Sequence, residues 1–493
     1  MRPLSQRVCI YCRLSRRSYI SAVRPPTAPK PVPDVKHVRQ NPELYAQNCR
    51  DRNYPAHAEY PSRIQQLSDE ARQIDDQLMP SRLRIKALEK TIGRLQNPAT
   101  DPKKKEQEPA LRAEAQQLKE ESLELTNRKS ICSDQINELA LSLPNLSSSH
   151  TPVGADPTLI EYLNYDPQSP PSWVHNRDPS RSHVSIGTEL GLIDFASAAT
   201  TTGWGWYFLT GDGALLEQAL IQYSLSVARR HGWNPVSPPS VVYSYVADAC
   251  GFQPRDQNSE QQIWAIEQAE KDKAKPQRSL AATAEIPLAA MHAGRDLDPA
   301  TLPLKMVGPS RCYRAEAGSR GVDTKGLYRV HEFTKVEMFG WADNTSTHSS
   351  PTSTDLFNNL LTVQKEILTS LNLPCRILEM PTSDLGASAT RKRDIEALFP
   401  SRKRGNGDNI EEAWGEVTSA SICTDYQSRR LGTRVRGITV KESRFPHTVN
   451  GTAMAVPRVL AAILENGWDP ARRVVVLPEV LRPFMGGQEV IGK

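Results

Sequence analysis

Residues 311–337 hold the densest set of side chains able to do chemistry. Arg311-Cys312-Tyr313-Arg314-Ala315-Glu316 leads into a loop with Gly318, Gly321 and Gly326, then Leu327-Tyr328-Arg329-Val330-His331-Glu332-Phe333-Thr334-Lys335-Val336-Glu337. The pattern predicts strand, long loop, strand. Alternation puts Arg314 and Glu316 on one face of the first strand, and Phe333, Lys335 and Glu337 on one face of the second. An arginine can fork a phosphate, a phenylalanine can cover a purine ring, and a carboxylate can read an amino group. In an anonymous hairpin the same residues would be ordinary surface charge pairs. The sequence has no GxxxxGK[ST] loop, no GxGxxG after a strand, no HExxH and no GxSxG. A bound nucleotide must then be held by arginines and a metal ion instead of a glycine-rich loop.

The elements that must position these residues lie beyond Ser182, where glycine, aromatic and β-branched residues become common. Strand-like runs at Gly437–Val440 and Arg473–Leu477 alternate with helical stretches at Leu215–Arg230 and Arg458–Glu465, which predicts a large α/β or α+β domain. Ser147-Ser148-Ser149-His150-Thr151-Pro152-Val153-Gly154 reads as a linker before it. From Arg63 to Leu143 the chain is rich in Gln, Glu, Lys and Leu. Ile64, Leu67, Ala71, Ile74, Leu78, Ile85, Leu88, Ile92 and Leu95 fall on steps of three and four, with Ser81 breaking the register. Leu111, Ala115, Leu118, Leu125, Cys132, Ile136, Leu139 and Leu143 repeat the pattern, with Ser122 and Lys129 as polar members. Two such stripes joined by Asn97–Pro102 predict an antiparallel coiled coil. At 1.5 Å per residue each helix of about 35 residues projects roughly 50 Å. Pro80 is expected to kink the first helix. Lys103, Lys104 and Lys105 at the tip could meet phosphates, or could simply be solvated.

A chain of 493 residues with 24% charged and 38% apolar residues reads as two or three globular domains. No apolar run reaches the ~18 residues of a membrane span, so no stable membrane association is expected. The net charge is +5, but seven cations stand in residues 1–33 with no acid before Asp34, so the remainder carries −2. Any nucleic-acid contact must come from a local patch. Residues 1–24 combine spaced arginines, serines and apolar residues without acids, the composition of a mitochondrial presequence; a basic tail touching nucleic acid is the competing reading. Cys9-Ile-Tyr-Cys12 has no second ligand pair, and no zinc is expected. Cys132, Cys250, Cys312, Cys375 and Cys423 read as buried thiols in a reducing compartment.

Taken together, the motifs resemble the seryl-tRNA synthetases among the class II aminoacyl-tRNA synthetases. Residues 311–337 are similar to the family's second signature motif. Trp233-Asn234-Pro235-Val236-Ser237-Pro238-Pro239 resembles the first, and Asn450-Gly451-Thr452-Ala453-Met454-Ala455-Val456-Pro457-Arg458 the third. Thr283-Ala284-Glu285 matches the serine-binding TxE signature. Glu416-Val417-Thr418-Ser419, leading into Cys423-Thr424-Asp425-Tyr426-Gln427, resembles the ATP- and metal-binding strand, and Asn41-Pro42-Glu43-Leu44 before the arm is family-like. The match runs from about residue 35 to the C-terminus.

The resemblance implies an α+β class: a catalytic domain on an antiparallel sheet with flanking helices, preceded by a long antiparallel coiled-coil arm. The implied limits are 35–150 for the tRNA-binding arm and 158–493 for the catalytic domain, after the presequence that composition puts at 1–24. It further implies a homodimer that activates L-serine with ATP and charges tRNA(Ser), and the composition of residues 1–24 places it in the mitochondrial matrix. ATP binding falls to Arg314, Ala315, Glu316, Val330, Phe333, Glu416, Val417, Thr418, Ser419 and Arg458. Arg314, Glu316 and Arg458 are the catalytic group, with Arg314 on the α-phosphate and Phe333 and Arg458 on either face of adenine. Glu416 and Ser419 would hold Mg²⁺, and Thr283, Glu285, Arg314, Glu337, Asn450 and Thr452 would bind serine. Thr452-Ala453 departs from the family's frequent Ser-Gly, and the basic stretch Ser401–Asp408 lengthens the segment before Glu416 without an evident role. The competing reading is a catalytically silent relative using the coiled coil as an interaction scaffold. Such a relative should have lost one of Arg314, Glu316, Glu416 or Arg458, and all four are present.

Overall fold

The computed structural model describes residues 24–96, 106–174, 179–252, 262–316, 326–343, 351–403, 409–437 and 442–492. The expectations for the presequence short of Arg24, for Cys9 and Cys12, for the tip lysines 103–105 and for most of the 437–440 strand lie outside those residues. The chain divides into two units, 33–50 with 54–143, and 24–32 with 51–53 and 144–492.

In the first of these, short helices α1 (Val35–Gln40) and α2 (Pro42–Asp51) precede α3 (Tyr60–Leu95), and α4 (Glu108–Glu121) and α5 (Leu123–Ser142) return along it. Ile64, Leu67, Ile74, Leu78, Leu88 and Leu95 are buried on α3, against Ala115, Cys132, Ile136 and Ala140 from the returning helices. This is the expected hairpin. A single helix runs through Pro80. The returning strand of the hairpin, read as one helix, is interrupted at Ser122, whose Oγ donates to the Leu118 carbonyl at 2.7 Å. Such bonding back to residue i−4 loosens and bends helices. Lys129, a polar member of the stripe, is satisfied by Asp75 of α3 at 2.6 Å.

The larger unit is built on an eight-stranded sheet: β1 (Thr158–Leu163), β2 (Asn234–Pro235), β3 (Leu304–Tyr313), β4 (Glu332–Ala342), β5 (Cys375–Glu379), β6 (Arg391–Leu398), β7 (Trp414–Thr424) and β8 (His447–Ala455). Their order is β1-β5-β6-β7-β8-β4-β3-β2. Every neighbouring pair is antiparallel except β2 with β3, so the α+β expectation holds. Helices α6 (Asp212–Arg230), α8 (Ser353–Ser370) and α10 (Val456–Asn466) pack on the sheet around Leu216, Leu220, Phe357, Leu360, Leu460 and Ile463. The short helices α7 (Glu285–Ala290) and α9 (Tyr426–Leu431) close a second apolar cluster around Ile286, Leu288, Phe339, Trp341 and Leu431.

The arm unit ends at Leu143, short of residue 150. The supposed linker belongs to the catalytic unit because its backbone is used there: Asn145 N–H donates to Ala387 O at 2.9 Å and Ser148 N–H to Thr390 O at 2.9 Å. Arg52 is fully buried and donates to the carbonyls of Asn145 and Gly386.

Candidate active site

The site opens where β7 and β8 part. Their ladder runs from Thr424↔Thr448 to Ala420↔Gly451 and stops. Beyond it, buried Gln364 of α8 takes the place of the next rungs. Its Nε2 donates to Thr418 Oγ1 (2.8 Å), Ser419 O (2.8 Å) and Thr452 O (2.9 Å), and Thr418 Oγ1 also bonds Thr452 O. Gly451 is required at this fork, since a Cβ there would sit 2.6 Å from Leu360 and 2.8 Å from Ser419 O.

The cleft beside this fork is lined by Arg314, Glu316, Val330, Phe333, Glu416, Val417, Thr418, Ser419, Thr452 and Arg458, ten of the residues the sequence singled out. Tyr328, Arg329, Lys335, Ala455 and Pro457 complete its walls. Alternation along β4 correctly put Phe333 and Lys335 on one face, but β3 ends at Tyr313, so Arg314 and Glu316 reach the cleft from the segment after the strand and not as one strand face. The Arg314 guanidinium lies 5.2 Å from the Phe333 ring centroid. Glu316 holds a positive φ of 49°, and its carboxylate faces Arg329 at 3.5 Å. Ala315 lies off the lining and ties its N–H to Gln262 O at 3.1 Å.

Arg458 is held from three sides. Its Nη1 donates to Glu416 Oε2 at 3.0 Å and to Glu416 O at 3.0 Å, and its Nε to Tyr328 O at 3.2 Å. Its guanidinium lies 4.6 Å from the Tyr328 ring, and Arg402 lies 4.4 Å from the same ring. The stacking partner of Arg458 in this structure is therefore Tyr328. Gly415 lets the group close, because a Cβ there would meet Arg402 Nη1 at 2.3 Å and Tyr328 at 2.9 Å. The adjoining Ser401 donates to Glu465 through Oγ (2.6 Å) and N–H (2.9 Å). Buried Glu465 also accepts from His183 Nδ1 at 2.6 Å, whose Nε2 accepts from Leu327 N–H at 3.0 Å. Residues 401–402 of the basic stretch thus brace the Tyr328 segment, a role its composition did not suggest; 404–408 lie outside the described residues.

Burial raises the Glu416 carboxyl, but Arg458 and then Lys392 outweigh it and hold the group at about 2. A carboxylate that stays ionised in the cleft that Ser419 also lines suits a hard cation such as Mg²⁺. Across the ladder from Ser419, Asp394 is buried with Oδ1 unpartnered, and its carboxyl is pushed to about 7 by burial against the pull of Lys392.

Of the residues expected around serine, Thr283, Glu285, Glu337 and Thr452 are buried behind this wall. Glu337 is 1% exposed, meets Lys335 Nζ at 2.5 Å and faces Thr452 Oγ1 at 3.5 Å. Thr283 Oγ1 accepts from Glu285 N–H at 3.2 Å, and Glu285 Oε1 accepts from Gln427 Nε2 at 2.7 Å. Burial first, then the charge of Glu337, raises the Glu285 carboxyl to about 7, against Lys335 and Gln427. Asn450 lies apart from the cleft lining, its Oδ1 3.4 Å from Cys423 Sγ. Sequence reasoning missed Lys335, Tyr328, Arg402, Gln364 and Gln427 as members of the site. Lys335 alone carried a signal, its alternation with Phe333 and Glu337.

An antiparallel sheet of this topology, with two arginines, an aromatic ring and a charged carboxylate around one cleft, is that of the class II aminoacyl-tRNA synthetases. Residues 267–467 match the family model "tRNA synthetase class II core domain (G, H, P, S and T)", and residues 32–147 match "Seryl-tRNA synthetase N-terminal domain". The serine–tRNA ligase, mitochondrial, of Saccharomyces cerevisiae is 41% identical over 76% of this chain and 78% of its own. Its counterpart from Schizosaccharomyces pombe is 39% identical over 92% of this chain and 88% of its own. The structure of seryl-tRNA synthetase from Pyrococcus horikoshii complexed with ATP superposes with a TM-score of 0.77 at 30% identity, covering 93% of this chain and 99% of that one. The chain belongs to the seryl-tRNA synthetase family.

Proposed function

We propose that the chain is a mitochondrial serine–tRNA ligase working in the matrix. The serine carboxylate attacks the α-phosphorus of ATP, forming seryl-adenylate and releasing pyrophosphate. A hydroxyl of the 3′-terminal adenosine of tRNA(Ser) then attacks the seryl carbonyl and releases AMP. The observation that carries this reading is the convergence of Arg314, Phe333, Glu416, Ser419 and Arg458 on one cleft beside the buried Glu285–Glu337–Thr452 group.

No general base is needed for the first step, because the carboxylate is already a nucleophile. The work is in-line positioning and charge neutralisation. Arg314 grips the α-phosphate and the serine carboxylate, Phe333 covers the adenine, and Glu316 with the Val330 backbone fixes its edge. Arg458, braced on Tyr328, reaches the γ-phosphate. Glu416 and Ser419 would hold Mg²⁺, which would neutralise phosphate charge. Thr283, Glu285, Glu337, Asn450 and Thr452 read the serine amine and hydroxyl. A ligand without the hydroxyl would leave their buried polar atoms unpaired, which rejects alanine.

The protein acts as a homodimer that meets a second copy through the first-motif region. An apolar groove lined by Val236, Pro238, Pro239, Val241, Tyr245 and Met291 supports this, with Val241 and Met291 exposed. Serine-dependent ATP–pyrophosphate exchange, run across amino acids and followed by charging of tRNA(Ser), tests the whole reading. A clean preparation with no exchange would sink it and favour the silent scaffold.

A further inference from the structure

Only two tryptophans stand among the exposed large hydrophobic residues described, Trp204 at 62% and Trp264 at 41%. Both face the same side chain. Around His331 the ring centroids of Trp204, Trp206 and Trp264 lie at 6.2, 6.0 and 6.0 Å, the first and third edge-on at 81° and 86°. The loop that carries Trp204 and Trp206 is drawn against His331 at Gly205. Its carbonyl accepts from His331 N–H at 2.9 Å, and a Cβ there would sit 2.5 Å from the imidazole. The cluster is therefore built, not incidental.

His331 also ties the cluster to the catalytic arginine. Its Nδ1 donates to Arg314 O at 3.0 Å, and Arg314 N–H donates to His331 O at 2.8 Å. Two residues before Trp264, Gln262 O accepts from Ala315 N–H at 3.1 Å. A group of flat rings kept in water thus adjoins the backbone of the residues that line the adenylate site. Two half-exposed cations share this hairpin. Arg329 is paired with Glu316 at 3.5 Å, and Arg311 is 3.7 Å from Glu217 and from Glu332. These long contacts leave both able to meet phosphates.

We propose that Trp204, Trp206 and Trp264, gathered round His331, are the platform on which the single-stranded 3′ end of the RNA substrate stacks as its terminal adenosine enters the Arg314 cleft. The proposal rests on the ligase reading above and names a subsite of it. Exposed indoles are what unpaired nucleotides stack on, since every base has a π-face and each stacked base contributes about 1–3 kcal/mol. A contiguous groove of branched aliphatic side chains would have pointed to a protein partner instead; here the exposed side chains are two tryptophans set on loops.

The test uses the full chain and three double variants at Trp204 and Trp264: both to Phe, both to Leu and both to Ala. Serine-dependent ATP–pyrophosphate exchange without RNA is measured beside the KM and kcat for charging tRNA(Ser). Tryptophan quenching is titrated with tRNA that has or lacks its single-stranded 3′ terminus. The Leu and Ala pairs are expected to lose about tenfold or more in kcat/KM for tRNA, the equivalent of one stacked base. Exchange should stay within about twofold of the parent. The Phe pair, which keeps flat rings, should recover most of the charging where the Leu pair does not. Quenching that the Ala pair loses should require the 3′ terminus. Unchanged charging in the Ala pair overturns the proposal, as does equal quenching by trimmed tRNA. So does recovery by Leu as good as by Phe, which would mark an apolar protein contact. Exchange that falls in step with charging in all three pairs also overturns it, making the cluster part of the fold or of the ATP site. Absence of exchange in the parent would be a failure of the ligase reading itself.

Discussion

Gln427 Nε2 donates to Glu285 Oε1 at 2.7 Å, joining two side chains 142 residues apart. The motif that contains Gln427 resembled an ATP- and metal-binding strand, yet this glutamine reaches the group proposed for serine. It is itself buried and accepts at Oε1 from Thr448 Oγ1 at 2.6 Å, so its amide has one orientation and its NH₂ must face Glu285. A hydrogen bond to the charged form favours ionisation.

Gln427→Leu removes that bond and should drive the Glu285 carboxyl further above its present value of about 7. The KM for serine in exchange is expected to rise about tenfold or more at neutral pH, the cost of losing a hydrogen bond to a charged group. The KM for ATP should change far less. Equal effects on both substrates would remove Glu285 from the serine pocket.

The pH profile follows from the same group. Glu285 is ionised above about 7 and neutral below it. Serine binding through its ammonium group should therefore weaken as pH falls from 8 to 6, seen as a rising KM for serine. Glu285→Gln should flatten that dependence while weakening serine binding throughout.

Stability should move the other way. A carboxyl whose folded pKa is raised binds more protons folded than unfolded between its ordinary range and about 7, so folding stability falls as pH rises across that window. At about 1.4 kcal/mol per unit, the buried charge costs up to a few kcal/mol above pH 7. Glu285→Gln is expected to raise the melting temperature at pH 8 and to do little at pH 4. A lower melting temperature at pH 8 would contradict the burial assigned to this carboxylate.

Arg314→Lys should lower kcat for exchange about 100-fold or more, since a point charge cannot reproduce a planar fork on phosphate and carboxylate. Near-normal adenylate formation would reject the assigned role. The Arg314 guanidinium also lies over Phe333, so the lysine variant should show a weakened adenine site as well.

Removing Ile64–Leu143 behind a flexible linker should spare exchange, because every proposed ATP and serine ligand lies in the other unit. Charging of tRNA(Ser) should be largely lost. An arm-less enzyme that charged tRNA at the parent rate would make the arm a spacer or a scaffold.

The sequence by itself determined whatever depends on local periodicity. Steps of three and four bury one stripe of α3, so the hairpin was legible from Ile64 to Leu95. Alternation along β4 put Phe333, Lys335 and Glu337 on one face, and the ordered motifs identified ten of the residues lining the cleft. Tertiary structure alone decided what crosses between distant segments. No spacing announces that Gln364 of α8 replaces the missing rungs between β7 and β8, or that Arg402 and Arg458 close on Tyr328 from different parts of the chain. The supposed linker looked free because its serines and prolines fit a loop, but Asn145 and Ser148 have backbone partners more than 200 residues away. Helical and strand periods are imposed by the backbone within a few residues and leave a pattern in the sequence. A buried hydrogen bond between remote side chains leaves none, because either partner could have been satisfied by water until folding removed it.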